Sequence, residues 1–207
     1  AALDGLGLDG SHRLVVVLMQ LVNLLQDGQP VRMSKRSGKA ITLETLLDEV
    51  PIDAARFFFN QREPNTHLEF DMDLAVEQSS QNPVYYVQYA HARICSIFKK
   101  YAAEGNTYVR AGAGELEALN APEERELIRH LAALTGEIVA AADERDPSRM
   151  TRYSTELATL FHKFYNNCRI FGAEEPLLRA RLTLCEAVAI VLRNVLTLLG
   201  IEAPESM

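Results

Sequence analysis

Hydrophobic positions divide the chain into two parts with different patterns. Residues 14–25 are rich in Val and Leu, which favours one or two β segments, and Asp27-Gly28 follows as a pair typical of a tight hairpin. From about residue 82 onward, apolar residues recur at helical spacing, with Pro or Gly at the boundaries. The sequence therefore predicts a mainly α protein in which a helical bundle follows a small α/β part.

Short helices are predicted between the hairpin and the bundle, at residues 43–50, 52–61 and 72–80. Residues 65–73 are irregular and acidic, with carboxylates at alternate positions (Glu69, Asp71 and Asp73). A divalent-metal loop is one interpretation of these carboxylates. No further ligand or EF-hand spacing follows, so we prefer a structural loop.

Four longer helices are predicted in the bundle. Asn82-Pro83, an N-cap residue followed by proline, begins the first, which runs to Ala103. The second opens at residues 123–126 and continues past Ile138 on one apolar face. The third follows Asp146-Pro147 and extends to Gly172. The fourth lies between a proline and a glycine and is apolar on nearly every side, which is typical of the central helix of a bundle.

Charge and cysteine content restrict the possible functions. A net charge of −7 argues against bulk electrostatic binding of nucleic acid, so any RNA contact must come from local basic patches. The cysteines, Cys95, Cys168 and Cys185, lie in apolar helical patterns without metal-ligand spacing, which indicates reduced packing residues in a cytoplasmic protein and no metal site. The apolar runs are too short to cross a membrane. The chain begins without Met in strand-like sequence, so we expect it to be part of a longer protein.

The most basic stretch is the segment of residues 31–39, Val-Arg-Met-Ser-Lys-Arg-Ser-Gly-Lys, between the hairpin and a predicted helix. Backbone N–H groups, a flexible ammonium and a helix start all favour the oxygens of a polyphosphate. Charge alone also fits a solvated loop without a ligand, which is the more common structure.

Two helical stretches carry aromatic rings and cations away from the apolar stripe. Tyr85, Tyr89 and Arg93 lie in the first, and Phe161, Tyr165 and Arg169 recur at four-residue spacing in the second. Such faces can stack on bases and contact phosphates. The alternative is packing, in which the rings cover the end of the bundle or meet a neighbouring helix.

These stretches together resemble a known family. Met33–Gly38 resembles the Lys-Met-Ser-Lys-Ser signature of class I aminoacyl-tRNA synthetases, with Arg32 in the place of the first lysine. Blocks that are similar to consecutive blocks of the bacterial arginyl-tRNA synthetases lie at residues 53–58, 67–75, 82–93, 161–169 and 203–207. The resemblance implies that residues 1–81 end a Rossmann-type catalytic domain, with the signature segment and stem-contact helices. It also implies that residues 82–207 form a helical anticodon-binding domain of the DALR type.

The resemblance also implies the chemistry, which is ATP-dependent attachment of arginine to tRNA-Arg. Lys35 would be catalytic, by neutralising charge on the pyrophosphate, and Mg²⁺ would accompany ATP in the full enzyme. The implied ATP-binding residues are Arg32, Met33, Ser34, Lys35 and Arg36. The implied tRNA-binding residues are Tyr85, Tyr89, Arg93, Phe161, Tyr165, Arg169 and Met207. This fragment lacks the upstream His-Ile-Gly-His motif, so we expect it to be inactive in adenylate formation.

We expect a monomeric, cytoplasmic protein without membrane contact whose partners are tRNA-Arg and, in the full-length enzyme, ATP and arginine. Two alternatives stay open. One is a stand-alone tRNA-binding helical module, against which the signature-like segment argues. The other is a fragment of a cysteinyl-type class I synthetase, which the block at residues 82–93 and the absence of zinc-ligand spacing disfavour.

Overall fold

Helices make up most of the two ranges that the computed structural model describes, residues 2–31 and 42–207. The mainly α fold with a small sheet is therefore confirmed. The elements in chain order are α1 (Ala2–Gly5), α2 (Gly10–Arg13), β1 (Val22–Gln26), β2 (Gln29–Pro30), α3 (Leu43–Glu49), α4 (Ile52–Phe59), β3 (Leu68–Asp71), α5 (Met72–Val76), α6 (Pro83–Ala103), α7 (Ala113–Leu116), α8 (Pro122–Ala132), α9 (Leu134–Glu144), α10 (Ser148–Asn167) and α11 (Glu175–Leu198).

The predicted hairpin is present, because Asp27 and Gly28 both adopt positive φ angles, 53° and 68°, as a two-residue turn of this kind requires. β1 pairs antiparallel with β2 across this turn. β1 also pairs parallel with β3, in a register that starts at Val22 opposite Leu68. The sheet order is thus β2-β1-β3.

Two predictions about this sheet were wrong. Residues 14–21 are not in a strand, and their apolar side chains are exposed. β3 is four residues long, and its pairing with β1 covers residues 22–25 of β1. Among the described residues, no strand pairs with the segment before Val22. Residues 68–71, which we expected to be irregular, form β3. The carboxylates beside β3 hold backbone N–H groups: Asp71 caps α5, and Asp73 accepts from the N–H of Asp27 at 2.6 Å.

α6 begins where the sequence predicts. The Asn82 side-chain oxygen accepts from the backbone N–H groups of Val84 and Tyr85 at 3.2 and 3.5 Å. The amide nitrogen of Asn82 donates to the carbonyls of Ala75 and Glu77 at 3.2 and 2.9 Å. One buried side chain therefore both caps α6 and fastens the end of α5 to it.

The bundle differs from prediction at two helix boundaries. The helix expected from residue 123 past Ile138 is broken at Ala133 into α8 and α9. α10 ends at Asn167 rather than at Gly172, which lies in the following turn with a φ of 82°. α10 packs against α6, α8, α9 and α11, and α11 buries a side chain on most of its turns, as expected for a central helix.

The small sheet and the bundle share one buried core, which extends from Leu24 to Ile201. Asn60 accepts a hydrogen bond from Thr151 at 3.3 Å, and the Arg56 guanidinium covers Gly200, where an added Cβ would lie 2.7 Å from Nη1. The division at residues 81 and 82 stays a prediction from sequence character. In the described ranges, no helix is long and apolar enough to cross a membrane.

Candidate nucleic-acid interface

α6 and α10 bring three of the predicted side chains into contact. The Arg93 guanidinium carbon lies 4.9 Å from the ring centroid of Tyr89 and 5.0 Å from that of Tyr165. Arg93 also donates from Nη2 to the Tyr89 hydroxyl at 2.7 Å. Tyr85 lies one turn before Tyr89 on α6, and its ring is parallel to that of Tyr89 at a centroid distance of 6.3 Å. Contacts with two rings and a hydroxyl restrict the direction of the Arg93 guanidinium, which is half-buried.

A cleft lies on each side of the Tyr89–Arg93 pair. The first, about 390 Å³, is lined by Tyr85, Tyr86, Tyr89, Arg93, His162, Asn166 and Ser80. The second, also about 390 Å³, is lined by residues of α6 from Tyr89 to Lys100 together with Tyr165, Phe171, Ser206 and Met207. We call them the tyrosine cleft and the tail cleft. Each combines aromatic walls with a cation, which is the composition that a nucleobase next to a phosphate requires.

The C-terminal tail, residues 201–207, runs alongside α6 in the same direction. Gln88 Nε2 donates to the Glu202 carbonyl at 3.0 Å, His91 Nδ1 donates to the Pro204 carbonyl at 2.9 Å, and Lys99 Nζ donates to the Glu205 carbonyl at 3.2 Å. Asp53 in α4 accepts from Gln88 at 2.8 Å and from the Glu202 N–H at 3.2 Å. These bonds place Met207, half of whose surface is exposed, in the tail cleft.

His162 is a lining residue that sequence reasoning missed. Its ring packs against Tyr86 and Tyr89, with centroid distances of 4.9 and 5.8 Å. Burial and, to a smaller extent, the Arg93 charge lower the pKa of His162 to about 4, so the ring is neutral at pH 7. Within the part of the chain that the structure describes, its buried Nε2 has no hydrogen-bond partner. His91 on α6 is buried under the tail, where its Nδ1 donates to the Pro204 carbonyl.

Tyr86 and Asn166 were missed as well. Both line the tyrosine cleft and lie one residue after Tyr85 and Tyr165, which the sequence did single out. The spacing of His162 and Asn166, four residues apart on α10, was the available signal, since such a pair shares a helix face.

Phe161 and Arg169 lie apart from the clefts. Phe161 is fully buried, with ring contacts to Phe164 and Tyr165, so its ring offers no surface on which a base can stack. The burial of Phe161 therefore contradicts the expectation that its ring contacts a base. Arg169 follows the end of α10, and its Nε donates to the Phe171 carbonyl at 2.8 Å, which turns the side chain over Gly172. It lines neither cleft.

The predicted ATP-binding residues Arg32, Met33, Ser34, Lys35 and Arg36 lie outside the described residues. The described chain ends before them at Val31, whose N–H donates to the Leu24 carbonyl, and resumes at Thr42, which caps α3 by accepting from the Thr45 N–H at 3.1 Å. In residues 2–31 and 42–207, no group of three or more His, Cys, Asp or Glu side chains is placed to hold a metal ion.

Several known proteins are similar to this chain. A model of the DALR anticodon binding domain matches residues 87–207. Arginine–tRNA ligases of Ruminiclostridium cellulolyticum and Desulfitobacterium hafniense are 51% and 53% identical to this chain over its full length of 207 residues. The chain spans only 36% and 37% of the length of those two relatives.

Two solved structures of arginyl-tRNA synthetases are also similar to this chain. The crystal structure of a putative arginyl-tRNA synthetase from Campylobacter jejuni superposes with a TM-score of 0.81 at 31% identity, over all of this chain and 44% of that one. The arginyl-tRNA synthetase of Thermus thermophilus superposes with a TM-score of 0.67 at 28% identity, over 84% of this chain and 29% of that one.

Proposed function

The chain belongs to the DALR anticodon binding domain family through residues 87–207, and we propose that it is the C-terminal part of an arginine–tRNA ligase and binds the anticodon arm of tRNA-Arg. The observation that carries the proposal is the convergence of Tyr89, Arg93 and Tyr165 between two clefts. The relatives at about half identity over the whole chain bear the name arginine–tRNA ligase, which supports arginine over cysteine as the amino acid.

Each residue at the clefts has a distinct task in this proposal. Tyr85 and Tyr89 present rings on which unpaired anticodon bases stack, a contact that contributes about 1–3 kcal/mol per base. Arg93, held between two rings, supplies positive charge beside those bases for a phosphate. Tyr165 and Met207 both line the tail cleft and contact a base that enters it.

A local interface of this kind is needed because the chain as a whole is acidic. With a net charge of −7, long-range electrostatics repel a polyanion, so binding energy must come from stacking and from a few fixed cations. Binding should therefore lose less affinity with added salt than binding to a basic patch does.

The resemblance extends the proposal to the basic segment. In the whole enzyme, ATP and arginine form arginyl-adenylate and pyrophosphate, and the arginyl group then passes to the terminal ribose of the tRNA. Lys35 neutralises charge that grows on the pyrophosphate, Met33 and Ser34 position the segment on ATP, and Arg32 and Arg36 add charge. Mg²⁺ accompanies ATP in the whole enzyme, and no residue of the described ranges is assigned to hold it. We further propose a monomer that acts in the cytoplasm, where tRNA is charged for translation.

A filter-binding titration of this 207-residue chain with tRNA-Arg and a non-cognate tRNA, at two salt concentrations, tests the proposal. We expect preference for tRNA-Arg, and we expect Arg93→Ala and Tyr165→Ala each to reduce that preference by roughly tenfold or more. Arg129→Ala is the matched control, since Arg129 is exposed on α8 and lines neither cleft. Equal, weak and salt-sensitive binding of both tRNAs by all variants would refute the proposal.

A further inference from the structure

A third and larger depression, about 680 Å³, lies next to α10 and is not used by the interface described above. One wall is the loop of residues 61–66, and the other is the first half of α10. The two walls are joined where the Thr151 hydroxyl meets the Asn60 carbonyl at 3.3 Å. We call this depression the threonine groove, after Thr151, Thr155 and Thr159, which line it.

The threonine groove and the tyrosine cleft share one face of α10. Thr155, Thr159, His162 and Asn166 follow one another at steps of four, three and four residues, which keeps them within a narrow stripe at 3.6 residues per turn. The first two line the groove and the last two line the cleft. A ligand strand that leaves the tyrosine cleft along α10 therefore passes directly into the groove.

The threonine side chains that line the groove present hydrogen-bond acceptors. Thr155 and Thr159 each use the hydroxyl proton inside the helix, donating to the carbonyl four residues earlier at 2.9 Å, so each oxygen keeps only lone pairs for a ligand. Glu63 and Glu156 add carboxylate oxygens, and Arg62 and Arg152 lie beside them. The two carboxylates offset the two guanidinium charges, so the groove is a poor site for phosphates and a good one for hydroxyl donors.

We propose that the threonine groove receives the sugar edge of an RNA stem, an inference that rests on the function proposed above. Thr155 and Thr159 then accept hydrogen bonds from ribose 2′-hydroxyl groups. A-form RNA displays its 2′-hydroxyls along a wide, shallow minor groove, and the 2′-hydroxyl is the group that distinguishes RNA from DNA. The groove then reads the type of sugar in the stem, and the tyrosine and tail clefts read the unpaired bases of the loop.

The test uses the 207-residue chain and two synthetic anticodon-arm hairpins of tRNA-Arg sequence, one with ribose throughout and one with 2′-deoxyribose in the stem. The double variant Thr155→Val, Thr159→Val removes both hydroxyls and preserves the side-chain shape. We expect it to bind the ribose hairpin roughly tenfold more weakly than the parent chain, and to bind the deoxyribose hairpin as the parent does. Because no counterions are released at hydroxyl contacts, the loss should be the same at two salt concentrations.

Thr197→Val is the matched control, since Thr197 makes the same hydrogen bond to a carbonyl four residues earlier but lies exposed on α11. An equal loss on both hairpins, or no loss on either, would overturn the groove assignment. If Arg93→Ala still weakens binding in that case, the anticodon proposal stands and only the groove assignment fails. If neither set of variants changes binding, both proposals fail together.

Discussion

Asn82 connects the small N-terminal part to the helix that carries Tyr85, Tyr89 and Arg93, and its replacement should destabilise the protein measurably. Asn82→Ala removes the cap of α6, which costs about 1 kcal/mol. It also leaves the buried carbonyl of Ala75 and the half-buried carbonyl of Glu77 without the side-chain donor, which costs about another 1–3 kcal/mol. The total is about 2–4 kcal/mol, equivalent to a fall in Tm of roughly 4–16 °C for a chain of this size.

Urea unfolding followed by far-UV circular dichroism measures this loss, and Asn82→Ser separates its two parts. Serine caps a helix about as well as asparagine does but cannot donate to both carbonyls, so it should recover about 1 kcal/mol of the loss and no more. A loss below about 0.5 kcal/mol for both variants would refute the reasoning, since that is the range of ordinary surface substitutions. Full recovery with serine would mean that the bonds to α5 contribute nothing.

Three further predictions concern the interface. Phe161→Ala should lower the free energy of unfolding by about 3–5 kcal/mol in urea titrations because the ring is fully buried. Phe161→Leu, once folded, should bind tRNA-Arg like the parent chain. A loss of tRNA binding by folded Phe161→Leu would contradict the buried role. The folded-state pKa of His162 lies below its unfolded value, so the neutral ring contributes to stability. This contribution is complete above about pH 6.5 and is lost as the pH falls towards about 4. An NMR titration that gives a pKa of 6 or above would contradict this. Asp53→Ala should loosen the tail and accelerate the release of Met207 by carboxypeptidase. Asp48→Ala is the control that should have no effect, since Asp48 is exposed on α3. Equal release rates for the two variants would show that Asp53 does not hold the tail.

Local signals in the sequence were sufficient for the elements that depend on local energetics. The turn at Asp27-Gly28 and the cap at Asn82-Pro83 are decided within four residues, by positive φ and by orphan backbone N–H groups, and both were predicted correctly. β3 was missed because a four-residue parallel strand is stabilised by a partner more than 40 residues away, which no local pattern contains.

Phe161 shows a second reason why sequence patterns fall short. A heptad stripe on α10 passes through Leu157 and Phe164 and leaves Phe161 to one side of it. α10 packs against four other helices, so the buried part of its surface is wider than one stripe and includes Phe161. Periodicity gives the direction of the buried face, but the number of neighbours decides its width.

The path of the tail could not be predicted from the tail's own sequence, because side chains of another part of the chain hold it in place. Gln88, His91 and Lys99 lie on one face of α6, and all three donate to main-chain carbonyls of the tail. Lys99 also pairs with the Glu205 carboxylate at 3.9 Å. The path of residues 202–205 is therefore set by α6 together with Asp53 of α4, and it carries Met207 to the tail cleft. The candidate interface thus combines α6, side chains of α10, and a tail that α6 and Asp53 hold in place. Substitutions at these three donors should move Met207 without changing any other residue that lines the two clefts.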